Sequence, residues 1–497
     1  MAKRPNILLV LSDQLRADSL GCYGHPFALT PAIDRLAASG TFFRRAYTPS
    51  PECVSARSSL ITGLSPDKGG CYDNGFPMPE EPPTLMSLLS EAGYRTHGVG
   101  KMHFTPDPLA TKGFQTREVG EEFGTPEHDD YLRFVSENGF AHVERPHGLR
   151  DEMYYVPQLS QVPEHLHPSR WVADRSITFL QENLPKEELH PHPPFAPPSP
   201  WHRLYEPSLM PEPDRPPGEP GLLTVHNLHQ NRYKFRDGVP HRRQDRRLVQ
   251  LIRAYYLACV SFVDYQVGRI LSALSEAGPK EETLVIFCSD HGEFLGDYGS
   301  WGKRSFLDPA ARVPLVVSGP GFDHGSWAED PVSLLDILPT VLSAADLERG
   351  GLPFDGASLL DGATLREREA IFGQFQTGPL GLYYAVTRSL KWAYSAADRR
   401  EYLLDLVRDP NETRNLAYNP RAREDLLFAR GVARRGLAEL SDLDLDEAAR
   451  NFPVPLGGQP TPERFVPLPL DEDAALLPRT GSSPPNEPPE YFGGHLR

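Results

Sequence analysis

The chain has 497 residues, 39% of them apolar and 24% charged, which suits a globular protein with a large core and excludes a disordered or fibrous one. Acidic residues outnumber basic ones by 67 to 51, a formal net charge of −16, which argues against bulk nucleic-acid binding but leaves room for a small anion in a local basic pocket. No apolar run approaches the ~18 residues needed to span a bilayer, so no membrane partner is expected.

In chain order, a basic start is followed by only five consecutive apolar residues, Ile7 to Leu11. A secretory signal carries ~7–15 and a small-residue cleavage site. This run ends instead in Ser12, Asp13 and Gln14, as a strand buried on both faces and emptying into a site would. The chain is accordingly expected to be cytoplasmic. Thr30-Pro31, the apolar positions Ile33, Leu36 and Ala37, and the stop at Gly40 predict a short helix. Thr84 to Ala92, with Leu85, Leu88 and Leu89, predicts another. Residues 250–277 carry apolar positions at helical period and end at Gly278. Thr283 to Cys288 is a second buried-strand run, closing on Ser289-Asp290-His291-Gly292, and Val313 to Val317 is a third. Strand, helix and strand in this order predict an α/β fold with a large, mostly parallel sheet flanked by helices. Ligands in such sheets sit at the carboxyl ends of strands, where Asp13 and Asp290–His291 are placed.

From about residue 363 the texture changes to short aromatic-rich runs, Ala370–Phe375, Tyr383–Thr387, Leu390–Tyr394 and Tyr402–Leu406, then a helical stretch from Pro420 to Leu440. A smaller antiparallel-sheet subdomain over 363–450 is expected to follow a catalytic unit over 1–362. A proline-rich tail or arm over 451–497 could wrap a neighbouring copy, which keeps a homo-oligomer open. The five cysteines, Cys22, Cys53, Cys71, Cys259 and Cys288, are scattered without a CxxC pair, so neither a zinc ribbon nor a disulfide framework is expected.

The densest stretch runs from Pro51 to Gly63. Cys53 precedes a predicted helix start, with Ser55 available as cap and the amides of Ala56 and Arg57 unpaired, so its thiol would face the helix's positive end beside a guanidinium. That is an anion site with a candidate nucleophile. The plain alternative is a buried loop cysteine.

The stretch from Cys53 to Gly63 resembles the signature of the type I sulfatases of the alkaline phosphatase superfamily, Cys-x-Pro/Ser-x-Arg continuing x-x-Leu-x-Thr-Gly. Further segments are similar to that family in its order: Gly93-Tyr94-Arg95-Thr96 with Gly100-Lys101-Met102-His103, Pro191-His192-Pro193-Pro194-Phe195, and Ser289-Asp290-His291-Gly292-Glu293 with Gly302-Lys303. Arg312-Val313-Pro314, Leu335 to Thr340 and Tyr402 to Asp409-Pro410 continue the likeness, which spans about residues 4–420.

The resemblance implies an alkaline phosphatase-like fold and hydrolysis of a small anionic ester, with Cys53 converted by a formylglycine-generating maturase to an aldehyde whose hydrate attacks sulfur. It further implies one divalent metal ion held by Asp13, Gln14, Asp290, His291 and the side chain derived from Cys53, with Ca²⁺ foremost and Mn²⁺ or Mg²⁺ as alternatives. Arg57 and Lys101 would hold the modified side chain and the anion. His103 would take the proton that releases the product, and Lys303 and His192 would bind substrate oxygens and protonate the leaving group. Gly100-Lys101-x-His103 at a strand end puts Lys101 and His103 on one face. Among other histidines, His97 and His190 are expected to be bystanders, and Tyr23, Trp201 and Trp301 are aromatic candidates for the site's mouth.

Four departures stand out. Gln14 stands where many relatives have aspartate, and His291 where many have asparagine. Ser55 replaces the proline of the commonest aerobic maturation motif. No apolar strand precedes Pro191-His192, so the sheet is expected either to lack a strand there or to recruit another segment. The Asp-Gln and Asp-His-Gly variants also resemble relatives that cleave phosphonate monoesters and phosphodiesters. A non-catalytic anion-binding homologue is the remaining alternative.

Overall fold

A computed structural model describes residues 4–80, 83–122, 124–149, 154–182, 187–189, 193–213, 222–235, 245–278, 282–347 and 351–442. Strands are numbered β1 to β15 in chain order. The two apolar runs β1 (Asn6–Ser12) and β7 (Thr283–Ser289) pair in parallel over seven residues, Asn6 opposite Thr283 and Ser12 opposite Ser289. They sit inside a six-stranded sheet of order β10-β2-β9-β7-β1-β6, completed by β2 (Thr41–Phe43), β6 (Glu187–Leu189), β9 (Leu315–Ser318) and β10 (Ser326–Ala328). Pairing is parallel except where β9 runs antiparallel to both β7 and β2. Pro314 splits the third apolar run, because it cannot donate to a ladder, into β8 (Arg312–Val313) and β9. With β3 (Ala46–Tyr47) and β11 (Val332–Ser333), β8 forms a small side strip, and β4 (His97–Gly100) pairs in parallel with β5 (Thr116–Val119).

Period-two alternation divides the core. Leu8, Val10, Val285 and Phe287 face helices Pro31–Ala38, Pro168–Glu182 and Arg246–Glu276. Ile7, Leu11, Leu284, Ile286 and Cys288 face helices Cys53–Thr62, Leu85–Glu91 and Ile337–Ala344. The 31-residue helix Arg246–Glu276 is long and apolar enough by composition to cross a bilayer, but 72% of its apolar window is buried inside the protein, as a core helix is. The fold is therefore the expected α/β architecture with a mostly parallel central sheet.

No apolar strand precedes Pro191-His192, but the sheet does not lack a strand there. Glu187, Glu188 and Leu189 form β6 and pair in parallel with Val10, Leu11 and Ser12. Its pairing is made by backbone groups along three residues, too short for an apolar pattern to mark it.

Asp264, on the long helix, caps a neighbour: its carboxylate accepts from the amides of Ala32 (3.1 Å) and Ile33 (2.8 Å) at the start of helix Pro31–Ala38. Burial pushes its carboxyl up to about 6. The folded state then keeps a proton that the unfolded chain has lost, so this group's contribution is full below the unfolded value near 4 and is lost as pH rises through 6. Thermal unfolding of the wild type against Asp264→Asn from pH 4 to 7 should show the wild type losing ground to the variant as pH rises.

Strands β12 (Ile371–Phe375), β13 (Leu382–Val386), β14 (Leu390–Ser395) and β15 (Arg400–Asp405) form a separate antiparallel sheet in chain order. One face, with Tyr383, Trp392 and Leu403, covers helix Arg423–Gly436; the other, with Tyr384, Ala393 and Tyr402, packs on Tyr47, Phe294, Phe306 and Leu307 of the α/β part. The fully buried Lys391 of β14 pins this contact, its ammonium bonded to Asp308 Oδ1 (2.6 Å), to the Phe306 carbonyl (3.0 Å) and to Glu412. The division at residues 362 and 450 stays a proposal, and the tail over 451–497 lies outside the described residues.

Candidate active site

The in-register pairing of β1 with β7 brings Asp13 and Asp290 together at adjacent strand ends, although 277 residues separate them in sequence. The backbone continues the ladder by one bond, Asp290 N–H to Ser12 C=O (3.2 Å), and the Leu15 amide is held by Ser289 Oγ (2.8 Å). The third participant comes from the start of helix Cys53–Thr62. One ligand atom each from Asp13, Cys53, Asp290 and His291 lies within 4.8 Å of all the others, and all four residues are buried.

Each carboxylate divides its two oxygens. Asp13 Oδ2 takes Arg57 (2.9 Å) and Lys101 (2.7 Å), and Asp290 Oδ2 takes the Arg57 Nε and Nη2 donors at 3.0 Å. Asp290 Oδ1 accepts the amides of Gln14 (3.0 Å) and His291 (2.9 Å), while Asp13 Oδ1 lies 4.0 Å from both Cys53 Sγ and His291 Nε2. His291 Nδ1 lies 3.1 Å from the Gly292 carbonyl, which fixes Nδ1 as the donor and turns the Nε2 lone pair toward Cys53 Sγ, 3.2 Å away. Lys303 Nζ donates to both, at 2.7 Å from Sγ and 3.0 Å from Nε2. Burial and the Asp13 charge raise the Cys53 thiol, but the cations Lys303 and Lys101 lead in outweighing them and bring it down to about 6.

A divalent ion fits this donor set. Two carboxylates and an imidazole converge, and Gln14 adds a buried amide oxygen, Oε1, that has no hydrogen-bond partner among the described residues. Arg57, Lys101 and Lys303 supply cations around residue 53 for an anionic group. The structure thus brings together Asp13, Gln14, Cys53, Arg57, Lys101, Asp290, His291 and Lys303. His103 lies beside them in charge contact with Lys101 and Arg57, its amide held by Glu121 (3.1 Å). His192 and His190 lie outside the described residues.

Some local expectations need correction. Ser55 is not the helix cap: the helix starts three residues earlier than that cap would allow, Glu52 is the N-cap residue, and Ser55 Oγ instead donates to the Cys71 carbonyl (2.5 Å). The Glu52 side chain does not cap either, because Arg304 (2.6 Å) and Lys303 (3.6 Å) occupy it. Burial would raise that carboxyl, but these cations overcome it and hold it at about 2. Asn74 Oδ1 serves the Val54 amide in its place (3.0 Å). Lys101 and His103 share no strand face, since β4 ends at Gly100 and His103 sits at φ +54°. Tyr23, part-buried and bonded to Leu315 and Phe43, Trp201, edge-on to Phe262 and lining a separate cavity with Leu29, Arg35 and Tyr265, and Trp301, 2% exposed beside Tyr155, are held by these contacts instead of lining a mouth over residue 53.

Sequence reasoning passed over Glu122, which holds Lys101 at 2.8 Å, and Glu121, which accepts the Met102 and His103 amides. The available signal was a pair of carboxylates directly after the short strand 116–119, at the strand end where sites form.

The Sulfatase family model matches residues 5–347. An arylsulfatase of Clostridium perfringens is 30% identical over 483 residues, covering 91% of this chain and 98% of its own. A choline-sulfatase of Rhizobium meliloti is 32% identical over 458 residues, covering 85% of this chain and 84% of its own. In fold, the chain is similar to a phosphonate monoester hydrolase of Agrobacterium radiobacter, with TM-score 0.73, 24% identity, and coverage of 88% of this chain and 96% of that one. The matched region contains every residue of the cluster, from Asp13 to Lys303, and on that ground the chain belongs to the sulfatase family.

Proposed function

We propose that the protein hydrolyses sulfate esters with the hydrated aldehyde derived from Cys53. The observation that carries this reading is Cys53 Sγ at a helix start, flanked by His291 Nε2 at 3.2 Å and Lys303 Nζ at 2.7 Å, with Asp13 and Asp290 completing a compact donor cluster.

One hydroxyl of the hydrate gives up its proton as it attacks sulfur, the sulfur–oxygen bond to the alcohol breaks, and the departing oxygen takes up a proton. The second hydroxyl then loses its proton, the carbon–oxygen bond to sulfate breaks, and the aldehyde is restored for rehydration by water. Lys303, Lys101 and Arg57 hold the anion and offset its charge as oxygen becomes more negative. Desolvation, reinforced by Lys101, brings His103 down to about 4, so it is neutral near pH 7 and able to accept the second hydroxyl's proton. His192 stays proposed as the donor to the leaving oxygen. A divalent ion held by Asp13, Gln14, Asp290 and His291 supplies positive charge that stabilises a developing oxyanion. Its oxygen-rich donors favour Ca²⁺, with Mn²⁺ favoured by the imidazole and Mg²⁺ the third choice.

The test combines modification and turnover. In protein from its native host, the peptide spanning Cys53 should carry an aldehyde that a hydrazine reagent captures; an unmodified thiol there would support the non-catalytic anion-binding reading. Dialysis against a chelator should silence turnover, and a titration with Ca²⁺, Mn²⁺ and Mg²⁺ should restore it and rank the three. A maturase acting on Cys53, and a cytoplasmic setting, are part of the same proposal and are checked in that host.

The neutral amide and imidazole at positions 14 and 291 favour one second reading, a phosphonate monoester or phosphodiester hydrolase on the same residues. Parallel kinetics on a nitrophenyl sulfate and a nitrophenyl phenylphosphonate separate the two, with a clear preference for the sulfate expected.

A further inference from the structure

Gln14 is fixed at every polar atom but one. Its backbone sits at φ +64°, its N–H donates to Asp290 Oδ1 (3.0 Å), and its carbonyl accepts from the Tyr256 hydroxyl (3.0 Å). The side chain is 1% exposed, with Nε2 donating to Glu293 Oε2 while Oε1 is left buried and unpartnered.

Glu293 is fully buried and its acceptors are occupied. Oε2 also takes the Tyr155 hydroxyl (2.9 Å), and Oε1 takes the amides of Leu295 (3.1 Å) and Gly302 (2.6 Å). All four contacts bring donors to its two oxygens, so Glu293 acts as an acceptor and admits the amide of Gln14 in one orientation, NH₂ toward Glu293 and oxygen away. The two ends of an amide are nearly the same size, and the wrong one would present N–H donors to a cation. A residue at position 14 that is neutral therefore needs an orienting partner, whereas a symmetric carboxylate would not. An amide oxygen buried without a donor is costly unless a cation meets it, and the neighbours of this residue are Asp13 in sequence and Asp290 through its own N–H.

We propose that Glu293 is a positioning residue that sets the amide of Gln14 so that its oxygen serves the divalent ion. This rests on the ion site of the proposed function. Glu293 also holds the Gly302 amide next to Lys303, so one buried carboxylate orders both the ion donor and the lysine loop.

The test is calorimetric titration of the full chain, stripped of metal, with CaCl₂ and with MnCl₂. In Glu293→Gln, the Leu295 and Gly302 amides keep the oxygen of the new side chain, whose NH₂ then faces residue 14. Gln14 must turn its own oxygen toward that NH₂ and aim N–H at the ion, so affinity should fall about 10- to 100-fold, the usual effect of losing an outer-shell partner. The exchange Gln14→Glu with Glu293→Gln restores an acceptor facing a donor and leaves an oxygen for the ion, so affinity should return to the wild-type value or better. Tyr155→Phe leaves the orientation intact and should change affinity little. Melting of the ion-free proteins monitors the fold. Equal affinity in the wild type and Glu293→Gln, or no recovery in the double exchange, overturns the inference. If Glu293→Gln fails to fold, the double exchange decides alone, and binding weaker than wild type overturns it. A wild type that binds neither ion overturns the ion site itself.

Discussion

Replacing Cys53 by alanine is expected to lower kcat/KM for a nitrophenyl sulfate by about four to six orders of magnitude, the scale on which losing a covalent nucleophile is felt. Folding should survive. The exchange removes one small buried sulfur atom, and the groups around it keep partners: Lys303 retains Glu52, Arg57 retains Asp13 and Asp290, and His291 retains its bond to the Gly292 carbonyl. The measurement pairs steady-state kinetics with a thermal melt. A low rate with an unchanged melt places the nucleophile at residue 53. Turnover within tenfold of wild type would mean that water or another side chain attacks, and that the cations around residue 53 act by binding alone.

The largest effect on stability is expected at Lys391. Exchanging it for methionine keeps the volume but leaves Asp308 and Glu412 facing each other in the interface between the C-terminal sheet and the α/β part. Removing one member of a buried ion pair costs about 3–5 kcal/mol, because the remaining charge stays desolvated. Asp308 keeps Arg312 at 2.8 Å, so the burden falls on Glu412. Burial and the neighbouring Asp308 hold its carboxyl above the ordinary range. Protonation should therefore rescue the variant, whose deficit in denaturant unfolding is expected to shrink as pH falls. Adding Glu412→Gln to Lys391→Met should recover part of the loss at neutral pH. A deficit that ignores both pH and the second exchange would show that lost packing, not exposed charge, is responsible.

The parts legible in the sequence were those whose signal is local and repetitive. The apolar runs at 7–11 and 283–288 need burial on two faces, and a parallel sheet is what supplies it; the aromatic runs after residue 370 alternate with period two and became β12 to β15. Asp13 and Asp290 were legible because each directly follows such a run. Less legible were features that depend on partners distant in the chain. Glu187 to Leu189 is a strand only because β1 offers an edge, and Glu52 caps nothing because Arg304, some 250 residues on, claims it. Glu293 was visible as a letter in a motif, but its part as an acceptor shared by Gln14, Tyr155, Leu295 and Gly302 depends on four separate approaches that no spacing encodes.

The span between residue 53 and the end of β7 sets a clock. Cys53 is 2% exposed in the folded protein, and the wall that encloses it includes Asp290 and His291, just past the end of β7, which leave the ribosome roughly 240 residues later. At typical synthesis speeds of about 5–20 residues per second, that delay is on the order of ten to fifty seconds. A catalyst that had to touch this side chain would meet it on the nascent chain, before the sheet closes.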